Sequence, residues 1–388
     1  MNREPNGGLG PGEIGTDTMT KHVLCAVGTR PEVIKMAPVV KALRERGIKT
    51  SVLATAQHRG LLDQMLATFD LVPDWDLDAM QPGQTLDALS GRLIPALGQV
   101  YREAKADAVL AQGDTTTVFC AALSAYHNGI PFGHVEAGLR SGDLMAPFPE
   151  EGMRKLSACL TKWHFTPTEG SRQNLLREGY SVDQVHLVGN TVIDSLLAMA
   201  SRDDLPFPAI RPLGSSERLV LVTLHRRENF GKPLRRILQS LRTFAQEHPE
   251  SRLLYPVHPN PNVLGPAQEV LSDLPNVDLL EPLAYPELIS ALKHAYLVFT
   301  DSGGLQEEAP ALGKPVLVFR EVTERPEAVE AGGVYLVGSD PDKFRALAER
   351  LWTNPEFHRT VGQVRFPYGD GTSGALISEI IAREIQSV

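Results

Sequence analysis

At about 150 residues per domain, a chain of 388 residues holds two or three domains. Apolar residues make up 42% and charged residues 22%, a mix that buries a core and excludes a wholly disordered chain. With 38 basic against 47 acidic residues the formal charge is −9, which argues against nucleic acid or an anionic membrane as partner. A small anion held by a few arginines remains open.

Residues 1–20 are rich in Gly, Pro and acid and lack the apolar stretch of a secretory signal. They read as a disordered leader. No apolar run approaches the roughly 18 residues a membrane helix needs, so a cytoplasmic protein is expected. From residue 21 the pattern is apolar strand, turn, amphipathic helix, repeated. His22–Val27 is a strand, Gly28-Thr29-Arg30 breaks it, and Pro31 opens a helix at a position where a missing N–H costs nothing. Val33, Met36, Val40 and Leu43 recur at helical spacing before Gly47. Pro38 inside this helix removes a bond to the carbonyl of Ile34 and is expected to kink it. Further strands are predicted at Thr50–Ala54, Ala108–Ala111 and Phe132–Val135. After a stretch rich in Pro, Ser and Gly, 203–216, a second series follows. Its strands are Leu219–Leu224, Arg252–Val257, Asp278–Leu280, Leu297–Thr300 and Val316–Phe319. Strands alternating with helices give an α/β fold with parallel sheets covered on both faces. The prediction is two doubly wound, Rossmann-like domains facing a cleft: 21–188 as the N-terminal half and 189–372 as the C-terminal half. A last helix in 373–388 is a candidate to pack back on the first domain. Cys25, Cys120 and Cys159 sit among apolar residues with no Cys-x-x-Cys pair, so buried, reduced thiols and no metal site are expected.

Such sheets bind ligands beyond the carboxyl ends of their strands, and the notable residues fall there. Gly28-Thr29-Arg30-Pro31-Glu32 puts free N–H groups and the Arg30 charge at a helix N-terminus, which suits an anion and equally an ordinary turn. Asp301-Ser302-Gly303-Gly304 ends a strand and starts a helix at once, a backbone cradle for a diphosphate without a Walker lysine. Glu308 lies one turn further on, placed to accept from ribose hydroxyls. His225-Arg226-Arg227 closes another strand; it fits a pyrophosphate leaving group, or a basic surface turn. The first half offers carboxylates instead: Asp114 after one strand, Glu136 after the next, and Glu150 and Glu151 in a Pro-rich loop. Each alone is an ordinary cap or ion-pair partner, but acids from three loops on one cleft can trade protons with a sugar.

Taken in order, GTRPEVIK (Gly28–Lys35), AQHR (Ala56–Arg59), GDTTT (Gly113–Thr117), GHVEAGLR (Gly133–Arg140) and GNTVID (Gly189–Asp194) make a recognisable set. HRREN (His225–Asn229), YPVH (Tyr255–His258), DSGGLQEEAP (Asp301–Pro310), ERPE (Glu324–Glu327) and PYGDG (Pro367–Gly371) continue it. The chain resembles the non-hydrolysing UDP-N-acetylglucosamine 2-epimerases. That resemblance implies a GT-B-like fold, a homodimer, no cofactor, and interconversion of UDP-N-acetylglucosamine with UDP-N-acetylmannosamine for surface-polysaccharide synthesis. Carried over by position, Asp114, Glu136, Glu150 and His225 are the implied catalytic residues. Arg30, Lys35, Arg227, Leu283, Leu288, Ser302, Gly303, Gly304, Glu308 and Arg325 are the implied substrate contacts. Gln57, His58 and His258 mark an implied regulatory site. The sequence departs from relatives at Leu288, where Phe is frequent near the uracil, at Phe366, where Asn is usual, and at Gly60, where Gln or Glu is frequent.

Overall fold

The computed structural model describes residues 21–55, 59–81, 83–363 and 366–387. Residues 1–20, where a leader is expected, and Gln57 and His58 of the implied regulatory site lie outside the described residues. Seven strands form the first sheet: β1 (His22–Val27), β2 (Lys49–Ala54), β3 (Trp75–Asp76), β4 (Ala108–Gln112), β5 (Phe132–Val135), β6 (Trp163–Thr166) and β7 (Val185–Leu187). Six form the second: β8 (Arg218–Thr223), β9 (Ser251–Pro256), β10 (Val277–Leu280), β11 (Leu297–Thr300), β12 (Val316–Val318) and β13 (Val334–Leu336). The orders are 3-2-1-4-5-6-7 and 10-9-8-11-12-13, and all pairings are parallel. All six residues of β1 and all five of β4 are buried, as strands covered by helices on both faces must be.

Strand order reverses between β1 and β4 in one sheet and between β8 and β11 in the other. These switch points open the crevices in which such sheets bind ligands. The loops that leave them are Gly28–Thr29, Gly113–Thr115, Leu224–Arg226 and Asp301–Ser302, the segments singled out by sequence. Four further strands, β3, β6, β7 and β13, extend the sheets beyond the nine predicted.

The helix Arg30–Glu45 runs unbroken through Pro38. The Ile34 carbonyl, which Pro38 has no N–H to satisfy, accepts instead from Ser195 Oγ at 2.5 Å, on the helix Thr191–Ala200. The helix Ser373–Glu384 lies chiefly on the helix Arg30–Glu45 of the first lobe. Arg46 Nε donates to Ser378 Oγ at 2.7 Å, and Gly374 N–H to Asp194 Oδ1 at 2.7 Å. A Cβ at Gly374 would stand 2.8 Å from the Pro38 carbonyl, so this crossing needs glycine. Cys25 and Cys120 are buried, but Cys159 is exposed, contrary to expectation. It ends the helix Glu150–Cys159, with the Tyr180 hydroxyl 3.8 Å from its Sγ.

Besides His22 at the start of β1, three histidines enter the first sheet. His134 pairs with His164 in register, and His186 stacks on Phe165 with ring centres 5.8 Å apart. Neither ring nitrogen of His164 has a hydrogen-bond partner among the described residues. Burial pushes His164 down to about 3 and His134 down to about 4, from an ordinary 6.5. The unfolded chain therefore takes up protons near pH 6.5 that the fold refuses. Their stability contribution is complete above pH 6.5 and is lost as pH falls toward those lower values. His164→Phe is expected to remove on the order of 2 kcal/mol of the stability loss between pH 6.5 and 4. Urea unfolding at a series of pH values reads this, and an unchanged acid limb contradicts it.

Candidate active site

The cleft is bolted at its floor by Glu32, a buried carboxylate in the first turn of the helix Arg30–Glu45. It accepts from Gly28 N–H at 2.5 Å, Thr29 N–H at 3.2 Å and Thr115 Oγ1 at 2.8 Å. Burial pushes its carboxyl up to about 7 against those hydrogen bonds. One side chain thus locks the loop after β1 to the loop after β4, fixing Arg30 and Asp114 relative to one another. Gly28 is required here, because a Cβ would lie 2.5 Å from Thr55 Oγ1 and 2.6 Å from Thr117 Oγ1.

Two acids meet on one cavity of about 270 Å³: Asp114 and Glu150 line it together with Gln84, Thr115 and Pro149. Asp114 is paired with Arg154, whose Nη2 stands 2.6 Å from Oδ2. Glu150 Oε2 is buried with no partner among the described residues. Arg154, which sequence reasoning missed, also binds Glu151 at 3.3 Å. Glu151 itself is fully buried and accepts from the Ser141 and Gly142 N–H groups, so it braces the loop.

Glu136 sits apart from that cavity. Its backbone φ is +64°, a costly conformation for a residue with a side chain and one that recurs at functional sites. Lys35 Nζ is 2.5 Å from Oε1, Asn190 Nδ2 donates to Oε1 at 2.8 Å, and Gln112 Nε2 donates to Oε2. Burial works against ionisation of Glu136, but Lys35, Arg325 and the Asn190 amide together hold the carboxyl below its usual range. Lys35 likewise loses to burial yet is held above its ordinary value by Glu136 and Glu307. The pair is ionised. His134, two residues before Glu136, donates from Nε2 to the Gly113 carbonyl at 2.7 Å, tying the Asp114 and Glu136 loops together.

A second cavity, about 210 Å³, opens between the lobes. Arg30 reaches it from the first lobe; Thr223, His225, His258, Leu283, Leu288, Ser302 and Glu308 line it from the second. Ser302 is the N-cap of the helix Gly303–Ala311, and its side chain makes no capping bond. The Cβ position of Gly303 is 3.3 Å from Arg226 Nη2 and 3.4 Å from Arg325 Cζ. Two guanidinium groups and a helix N-terminus therefore converge at one point, the arrangement a diphosphate needs. Of the basic pair after β8 it is Arg226 that stands there, whereas Arg227 is exposed on the short turn Arg227–Asn229.

Asp301, fully buried, sets that geometry. It accepts from His225 N–H and Arg226 N–H, each at 3.0 Å, and from Asn229 Nδ2 at 3.0 Å. The loop after β8 is thereby hung from the loop after β11. Burial holds the His225 imidazole below its usual range, Asp301 opposing and Arg226 and His258 reinforcing the shift. His258, assigned by sequence to a regulatory site, lies parallel to His225 at 6.1 Å in this same cavity. Glu308 is buried, and desolvation pushes it up to about 7, Glu307 adding to the shift and Lys35 opposing it. Leu283 and Leu288 give the cavity an aliphatic wall. Among the described residues no cluster of three His, Cys, Asp or Glu is placed to hold a metal ion. No helix among them is long and apolar enough to cross a membrane.

Two doubly wound lobes with both switch points on one cleft define a GT-B-like architecture. The glycotransferase of kitacinnamycin, 16% identical with a TM-score of 0.67 over 94% of this chain and 99% of that one, shares the fold alone. The family model described as UDP-N-acetylglucosamine 2-epimerase matches residues 41–382. The UDP-N-acetylglucosamine 2-epimerase of Yersinia pestis is 47% identical over 358 residues, 90% of this chain and 95% of that protein. The crystal structure of UDP-GlcNAc 2-epimerase from Neisseria meningitidis bound to UDP-GlcNAc matches with a TM-score of 0.86 and 42% identity. It covers 93% of this chain and 100% of that one. The chain belongs to the UDP-N-acetylglucosamine 2-epimerase family of isomerases.

Proposed function

We propose that the protein interconverts UDP-N-acetylglucosamine and UDP-N-acetylmannosamine by eliminating UDP and adding it back. The observation that carries this reading is a diphosphate cradle in one lobe facing ionisable carboxylates in the other. The C2 proton is not beside a carbonyl, so a base cannot simply remove it. Breaking the C1–O bond to UDP makes C1 cation-like and acidifies that proton. Loss of both gives 2-acetamidoglucal; UDP then re-forms the C1–O bond as a proton reaches C2 from the opposite face. Arg30, Arg226, Arg325, His225 and the free N–H groups at Gly303 and Gly304 take up the charge of the departing diphosphate. Leu283 and Leu288 hold the uracil by aliphatic contact. Glu136, ionised beside Lys35, shares the acid and base roles with Asp114 and Glu150. Closure of the lobes joins the two cavities and keeps the glycal from escaping. A cytoplasmic homodimer supplying surface-polysaccharide synthesis is the setting we infer from the family.

A glycosyltransferase is the nearest rival, but it has no need of several acids around C2. Proton NMR of the protein with UDP-N-acetylglucosamine alone separates the readings. The manno epimer without net free UDP is the expected result. Unchanged configuration sinks the proposal, and accumulating UDP turns it into hydrolysis.

A further inference from the structure

Glu136 and the diphosphate cradle belong to different lobes, yet an unbroken polar chain joins them. Asn190 stands between β7 and the helix Thr191–Ala200, whose first turn it caps: Oδ1 accepts from Val192 N–H at 3.1 Å. That bond fixes the amide orientation and aims its NH2 group the other way. Nδ2 donates to Glu136 Oε1 at 2.8 Å and to Glu307 Oε2 at 2.9 Å, one carboxylate from each lobe. The other oxygen of Glu307 accepts from Arg325 Nε at 2.7 Å. Arg325 is the guanidinium whose Cζ lies 3.4 Å from the Cβ position of Gly303. Glu307 and Asn190 are buried and touch neither cavity described above.

Resting on the reading that the Ser302 cavity takes UDP, we propose that Asn190 and Glu307 are positioning residues that couple the diphosphate site to the loop carrying Glu136. Lys35 and Arg325 face Glu136 and Glu307 along this chain, and Glu324 also pairs with Arg325, at 3.1 Å. An anion at Gly303 competes with Glu307 for Arg325. Glu307 then leans more on the Asn190 amide, which it shares with Glu136. In a buried, low-dielectric setting this redistribution is felt strongly. Glu136 holds a strained backbone, so its place depends on those anchors. Nucleotide binding in one lobe thereby sets the carboxylate in the other, before any chemistry.

The test is hydrogen exchange of backbone 133–140 with and without UDP, in wild type and in Asn190→Ser. Serine keeps a good N-cap on the following helix but is too short to bridge both carboxylates. In wild type, UDP is expected to slow exchange of this segment about threefold or more. In Asn190→Ser, UDP is expected to bind within about threefold of wild type by calorimetry while the slowing disappears. The accompanying kcat should fall more than about tenfold with KM nearly unchanged. UDP-dependent slowing that persists in the variant overturns the proposal, as does UDP that binds wild type without slowing 133–140. Should Asn190→Ser not fold, Glu307→Gln serves: it keeps the shape, loses the negative charge that faces Arg325, and must also abolish the slowing. If UDP does not bind wild type at all, it is the functional reading that falls, and calorimetry shows this first.

Discussion

Glu136→Gln is expected to lower kcat by roughly 10²–10⁴-fold, the range lost when a general acid or base is removed. Glutamine keeps the size of the side chain and an acceptor for Lys35, so the strained turn at φ +64° and the fold should survive. What disappears is the negative charge that Lys35 holds in place at 2.5 Å. Apart from Arg30, the proposed UDP contacts lie in the other lobe, so UDP should still bind within a small factor. A coupled assay for kcat beside calorimetry for UDP makes the split visible. Near wild-type turnover would remove Glu136 from the acid and base roles. Equal losses in turnover and UDP affinity would make it a structural residue.

The second large effect falls on binding. Arg325→Ala removes one of two guanidinium groups beside Gly303 and leaves Glu307, 4% exposed, without its cation. Stranding one partner of a buried charged pair costs about 2–5 kcal/mol. Part of this should appear as lower stability and part as UDP affinity reduced by more than about tenfold. Arg325→Lys should recover charge but not the fork that reaches Glu307 and the cradle together. Thermal unfolding and UDP titration of both variants check this. Unchanged UDP affinity in the alanine variant would place the diphosphate elsewhere.

Much of this site was legible in the sequence because its chemistry sits in loops at strand ends. Gly28–Glu32, Gly113-Asp114, His225-Arg226 and Asp301–Gly304 interrupt apolar runs with glycine and charge, and the two switch points gather them. Parallel strands buried on both faces read as continuous apolar stretches, which is why β1, β4, β8 and β11 were clear. The edge strands β3, β7 and β13 and the interior strand β6 were not. β3 has two residues, and β6 and β7 carry His164 and His186 in place of the expected aliphatic ones. Residues defined by distant partners were equally hidden. Asn190 meets Glu307 across 117 positions and Lys35 meets Glu136 across 101, and no local pattern records either. Within single motifs the structure discriminated where spacing could not, choosing Arg226 over Arg227 at the cradle and giving Glu307 a partner set unlike that of Glu308. His258 joined His225 because β8 and β9 are neighbours, a fact of topology rather than of sequence.

The claim beneath all of this is that the C2 hydrogen leaves while one lobe holds UDP. The most direct measurement is proton NMR of the epimerised product formed in heavy water. Deuterium at C2 is the expected result, with the H2 signal lost and the neighbouring couplings simplified as the manno epimer appears. A product that keeps its original hydrogen at C2 would contradict it.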